Sequence, residues 1–132
     1  MAAETTAEAR IREYYEALRH GAPLYQFFAE RPDVVKFGIT ERLTGYEEIQ
    51  AGLREQTATT EDWTVESRNL QVVERDDHAW FSDDVRMAWP DVAADREYDF
   101  DSRWSGTLEW EGNGWLFVGM HVSAVPGGPL AE

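Results

Sequence analysis

The sequence predicts an α+β domain: a curved antiparallel sheet of four long strands plus one short strand, wrapped around three N-terminal helices. Three observations carry this. Helical spacing of apolar residues is confined to the stretch before Thr57, four long alternating runs follow it, and Glu111-Gly112-Asn113-Gly114 separates the last two as a hairpin turn. At 132 residues the chain fits one domain over 1–132, with an ordered core expected over 6–125 and a loose tail over 126–132.

Each element has its own signal. Thr5-Thr6-Ala7-Glu8 reads as a capping box, and Ile11, Tyr14, Tyr15 and Leu18 recur at helical spacing, so a first helix is expected from about Thr6 to Arg19. Gly21 suits the left-handed position that ends it, and His20 suits the negative end of its dipole. Ala22-Pro23 predicts a short second helix carrying Leu24, Phe27 and Phe28, stopped at Arg31-Pro32-Asp33. Val34 to Ile39 reads as the short strand. Thr44-Gly45-Tyr46-Glu47 reads as another capping box, opening a third helix with Ile49 and Leu53 on its buried face. Beyond Thr57, Trp63 to Glu74, His78 to Trp89, Asp99 to Trp110 and Trp115 to Val125 read as the four long strands.

Charge narrows the partners. The formal net charge is -14, and the twelve basic residues are eleven Arg and one Lys, Lys36. Such a field repels nucleic acid and anionic lipid, so neither a nucleic-acid nor a membrane partner is expected. Arg in place of Lys beside many carboxylates fits both a high-salt cytoplasm and a high-GC genome. The absence of Cys rules out disulfides and thiolate metal sites. Met1 to Thr6 lacks the basic start and apolar core of a secretory signal, and the expected location is cytoplasmic. His20, His78 and His121 are spread over separate elements with no HExxH pattern, so no metal and no cofactor is expected.

Taken together, Tyr14-Tyr15-Glu16-Ala17-Leu18, Leu43 to Ile49, Ala79-Trp80, Arg103-Trp104-Ser105, Gly114-Trp115 and His121-Val122-Ser123, in this order, resemble the SnoaL-like branch of the nuclear-transport-factor-2-like superfamily, also called the cystatin-like fold. The resemblance covers roughly residues 7 to 125. It implies a cone whose sheet encloses a pocket closed by the helices, often dimeric through the outer sheet face. Members include isomerases, polyketide cyclases, dehydratases and assembly or binding modules, so the fold leaves function open.

Counting the last hairpin from Trp110 opposite Trp115 without interruption sets Leu108 opposite Phe117, Trp104 opposite His121 and Arg103 opposite Val122. One face then carries Arg103, Ser105, Val118, Met120 and Val122, a mixture of apolar wall and a few polar groups expected of a pocket. The other carries Trp104, Leu108, Trp115, Phe117 and His121, joined by Trp80 from the neighbouring strand, and is expected to be a dimer interface. The similar association domain of calcium/calmodulin-dependent protein kinase II implies that positions Val85, Arg103 and Val122 line the pocket. This turns Phe81, Asp83, Val85, Met87 and Trp89 inward as well, with Phe27 and Phe37 completing the packing.

Catalytic candidates follow from that arrangement. Asp83 and Arg103 would meet inside the cone, either as a structural ion pair or as a grip on a ligand carboxylate or enolate oxygen. Resemblance to ketosteroid isomerases implies an oxyanion-stabilising role for Tyr14, beside the plain alternative of a core tyrosine. The acids of those isomerases fall near Phe37-Gly38 and Ser105-Gly106, where no acid stands, so Glu41 or Asp83 would have to substitute. His121 and Ser123 lie two residues apart on a strand, too far apart for a base and nucleophile to act together. The expectation is therefore a homodimeric domain binding a small, anionic or polyketide-like molecule. The alternatives are a cofactor-free isomerase, polyketide-cyclase-like enzyme or dehydratase using Tyr14, Asp83 and Arg103, and a dimerisation module with a filled cone.

Overall fold

The computed structural model describes residues 6–91 and 93–125. The tail expected over 126–132 lies outside them. Among the described residues there are two α-helices, α1 (Ala7–His20) and α2 (Tyr46–Thr59), and seven strands: β1 (Val35–Phe37), β2 (Arg42–Thr44), β3 (Thr64–Ser67), β4 (Gln71–Glu74), β5 (His78–Asp91), β6 (Arg96–Glu111) and β7 (Gly114–Ala124).

Helix α1 ends where expected. Thr6 Oγ1 accepts from the Ala9 N–H at 3.0 Å, while Gly21 at φ 70° lets the Ala22 N–H reach the Ala17 carbonyl at 2.9 Å. Ala7, Ile11, Tyr14, Tyr15 and Leu18 form its buried stripe. Helix α2 starts one residue later than a Thr44 cap would place it. Its N-cap is Gly45 at φ 87°, and Glu48 reaches back to accept from the Thr44 N–H at 2.8 Å.

Three expectations about the architecture are corrected. The second helix is a single 3-10 turn, Tyr25–Phe27, because Phe28 already runs extended and bridges Phe117 of β7, where the Ala29 N–H meets the Phe117 carbonyl at 3.0 Å. Sheet pairing so close behind Pro23 leaves no room for further helical turns. The sheet is mixed and not antiparallel throughout: β1 lies parallel to β7, with Lys36 opposite Met120 and Phe37 opposite His121. Its order is β2-β1-β7-β6-β5-β3, with β4 also paired to β5. Finally, the run from Trp63 to Glu74 is two strands. The chain steps away from β5 between Ser67 and Gln71, and there the Asp83 carboxylate replaces a backbone acceptor, taking the Asn69 N–H at 2.9 Å.

The most consequential correction concerns register. Trp110 does face Trp115 and Leu108 faces Phe117, but Thr107 then faces Gly119, so Val118 is an extra residue on β7. From that bulge onward every pair is shifted by one: Trp104 faces Val122, Ser105 faces His121 and Arg103 faces Ser123. A slip of one residue exchanges the two faces of a strand. On β6, which has no extra residue, alternation puts Trp104 on the core side with Leu108 and leaves Arg103 and Ser105 on the outer face; on β7 the bulge lets Trp115 and Phe117 before it, and Met120 and Val122 after it, all turn inward. Close packing accompanies the bend. A Cβ on Gly106 would lie 2.5 Å from the Gly119 carbonyl oxygen and 2.9 Å from the Phe81 ring, so no larger residue fits there without movement.

Of the residues expected at a dimer interface, Trp104, Leu108, Trp115 and Phe117 are core. Trp115 and Phe117 lie before the bulge and face inward with Leu108 and Trp104. Only Trp80 and His121 are on the outer face, Trp80 being 43% exposed.

Candidate ligand-binding site

The interior of the cone divides into a filled end and an open end. At the filled end Tyr14, Phe27, Phe28, Phe81 and Phe117 interlock, with Tyr14 edge-on to Phe27 at 5.4 Å and to Phe117 at 5.3 Å between ring centres. Arg10 closes this end from outside, its guanidinium 4.1 Å above the Phe27 ring and its Nε donating to the Trp115 carbonyl at 3.0 Å.

At the open end lies a cavity of about 170 Å³. Its floor is Tyr14, Leu18, Trp104 and Val122; its walls are Met87, Trp89 and Trp63 on one side and Lys36 with the Gly38–Glu41 loop on the other, and Gln56 and Thr60 of the α2 end complete the rim. The two rim tryptophans stack at 4.2 Å, and the Trp63 indole N–H is held by Thr60 Oγ1 at 2.8 Å. An apolar cavity of this size holds roughly one six-membered ring.

Two polar features face this space. Tyr14 is 2% exposed as a residue, and its hydroxyl, which makes no hydrogen bond among the described residues, is not sealed off but opens on the cavity. Burial, and next the charge of Glu41, push its pKa well above the ordinary tyrosine value, so it stays protonated and able to donate. Lys36 is the second feature. Its side chain is only 7% exposed, and its Nζ meets Glu41 Oε2 at 2.7 Å. Strand parity places it there: Val34 and Lys36 point inward, whereas Val35 and Phe37 point outward.

The expected pocket residues accordingly scatter. Tyr14, Met87, Trp89 and Val122 border the cavity, while Phe27, Phe81, Val85 and Met120 are packed core behind it. Phe37 is turned outward, 38% exposed, beside the His121 ring at 5.5 Å. Val118 takes the bulge. Arg103 and Ser105 are outside, which separates Arg103 from Asp83; its partners across the strands are Asp84 and Ser123.

Asp83 itself is buried in a closed network. It accepts from the Tyr15 hydroxyl at 2.9 Å, from Ser67 Oγ at 2.6 Å and from the Asn69 N–H, and it is not among the residues that border the cavity. Burial, followed by the charge and hydrogen bond of Asp83, holds the Tyr15 hydroxyl protonated far above its ordinary pKa. Lys36, Trp63, Gln56 and Thr60 are site residues that sequence reasoning missed. The available signal was Lys36, a lone lysine two residues after Val34 in an otherwise apolar strand. Among the described residues, no cluster of three His, Cys, Asp or Glu could hold a metal ion, and no helix is long and apolar enough to cross a membrane.

A mixed sheet curled over two helices, with a cavity at its open end, is the architecture of nuclear-transport-factor-2-like, or cystatin-like, proteins. The SnoaL-like domain family matches residues 7–127, and the chain belongs to it. Similar solved structures include a candidate dehydratase of the nuclear-transport-factor-2-like family from Streptomyces avermitilis, 16% identical, with a TM-score of 0.79 over 91% of this chain and 94% of that one. A candidate scytalone dehydratase from Novosphingobium aromaticivorans is 14% identical, with a TM-score of 0.78 over 90% and 81% of the two chains. A protein of cystatin-like fold from Caulobacter vibrioides is 19% identical, with a TM-score of 0.72 over 90% and 87%. Among curated proteins no sequence match is found.

Proposed function

We propose that the open end of the cone binds a small, uncharged molecule of about one ring carrying a carbonyl or hydroxyl oxygen. The observation that carries this is the Tyr14 hydroxyl, a donor with no protein partner among the described residues that is open to the cavity it borders. A neutral ligand is favoured over an anion, because the Lys36 charge is already matched by Glu41 and Arg103 lies outside. The filled module is disfavoured by the same cavity, although its expected packing holds at the closed end.

Titration with acetophenone and benzyl alcohol, followed through the indole N–H signals of Trp63, Trp89 and Trp104, tests the reading. Tyr14→Phe is expected to weaken binding roughly tenfold, the worth of about one hydrogen bond. Unperturbed indoles, or equal affinity in Tyr14→Phe, would overturn it. A second reading, a cofactor-free isomerase, cyclase or dehydratase, draws support from Glu41, a carboxylate bordering the same cavity as Tyr14 and so able to act as base while Tyr14 steadies the oxygen. Deuterium exchange into the acetophenone methyl group, lost in Glu41→Gln, would favour it.

The outer sheet face is proposed as the contact with a second copy. Trp80 and Phe37 are exposed there and flank a polar groove containing Arg103, His121 and Ser123. Sedimentation at micromolar concentration should show a dimer that Trp80→Asp dissociates; a wild-type monomer would sink this assignment.

A further inference from the structure

We propose that Lys36 is a nucleophile, forming an imine with small aldehydes that enter the cone, with Glu41 relaying the protons. The inference rests on the cavity admitting a small carbonyl compound, as in the binding reading above, and adds a covalent step to it.

Lys36 is the only lysine of the chain, and it points into the cavity. An uncharged, flexible side chain of similar bulk, such as methionine, would line an apolar wall without two charges to desolvate. What the amine offers in exchange is reactivity towards carbonyl carbon. The surroundings supply what that reaction needs. Glu41 Oε2 at 2.7 Å is the acceptor for the proton that the ammonium must lose before its lone pair can attack. The Tyr14 hydroxyl borders the same cavity, free to donate to the carbonyl oxygen.

The step balances without an oxidant or reductant. Lys36 passes a proton to Glu41, its nitrogen bonds to the aldehyde carbon, and the carbonyl π electrons move to oxygen, which is protonated. A second proton from the nitrogen, relayed through Glu41, leaves with that hydroxyl as water. The C–O bond breaks, and the nitrogen lone pair forms the C=N bond. The net change joins one aldehyde to one ammonium, giving a protonated imine and one water, with Glu41 returned as the carboxylate that balances the iminium charge.

Benzaldehyde with cyanoborohydride reads this directly, since reduction fixes the imine as a benzyl amine. The expected result is a single benzyl adduct, mapped to the peptide containing Lys36 and formed faster than any adduct on the α-amino group. Lys36→Arg keeps a cation opposite Glu41 and should give no such adduct. Glu41→Gln should slow trapping roughly a hundredfold, the usual worth of a placed acid–base group; an unchanged rate would overturn the relay. If acetophenone binds and benzaldehyde leaves Lys36 unmodified, the covalent inference falls and the binding reading stands. If neither engages the cavity, both fall. An adduct without acetophenone binding would support the amine chemistry and remove the hydrogen-bonding reading.

Discussion

Trp104→Ala is expected to destabilise the protein by about 3–5 kcal/mol, and Arg103→Ala by less than about 0.5 kcal/mol, in urea unfolding followed by far-UV circular dichroism. The contrast between adjacent residues is the signature of alternation on β6, whose core side carries Trp104 and Leu108. Trp104 is 4% exposed and stands edge-on to Tyr15 at 5.3 Å and to Tyr14 at 6.2 Å, with its indole N–H on Ser102 Oγ at 3.0 Å. Truncation opens a void beneath α1 and leaves Ser102 without its donor, though Ser102 still donates to the Val85 carbonyl at 2.6 Å. Arg103 is exposed and has no ion pair among the described residues, so its loss removes little. The opposite facing of β6, with Arg103 inside the cone, would reverse the two results. Equal costs at both positions would likewise contradict this facing.

Asp83→Ala is the second large effect, expected at about 2–4 kcal/mol, with Asp83→Asn recovering most of it. Three donors converge on this carboxylate, and the Tyr15 hydroxyl, 1% exposed as a residue, has no water to turn to when the acceptor is removed. In Asp83→Asn the oxygen can keep the Asn69 N–H while the amide group donates to Tyr15 and Ser67, whose hydroxyls can rotate to accept. Recovery by Asn marks the network as structural; a catalytic base would not tolerate the change, so acetophenone exchange should be unaffected in Asp83→Asn.

The same burial has an alkaline consequence. Tyr14 and Tyr15 hold their protons in the folded state above the ordinary pKa of about 10. Their contribution is thus fully present below that pH and is lost as pH rises past it, at up to about 1.4 kcal/mol per pH unit for each tyrosine. Unfolding at stepped pH, with tyrosinate absorbance at each step, should show ionisation and unfolding together.

Much of this architecture was legible without coordinates. Helix α1 was readable from Ile11, Tyr14, Tyr15 and Leu18 with Thr6 and Gly21 at its ends, because capping and periodicity are local properties. The inward turn of Phe81, Asp83, Val85 and Met87 was legible too, from the resemblance, since β5 runs without interruption. The pocket was less so. Its residues depend on which side of a strand faces inward, and one inserted residue reverses that choice. Gly119 and Gly106 hinted at an irregularity, but glycine in a strand does not say which partner gains a residue.

Local sequence determined α1, α2 and the three long strands in their order, along with the acidic surface and the tight turn at Gly112-Asn113-Gly114, because these follow from propensity, period and charge within a few residues. Tertiary structure decided the rest. It replaced a second helix by a 3-10 turn pinned to Phe117, laid β1 parallel to β7, moved Trp104 into the core and Arg103 out of it, and set Lys36 and Glu41 against Tyr14 at the cone mouth. The physical reason is common to all four. Each depends on hydrogen bonding between strands distant in sequence, where the register of one ladder fixes the facing of every side chain beyond it.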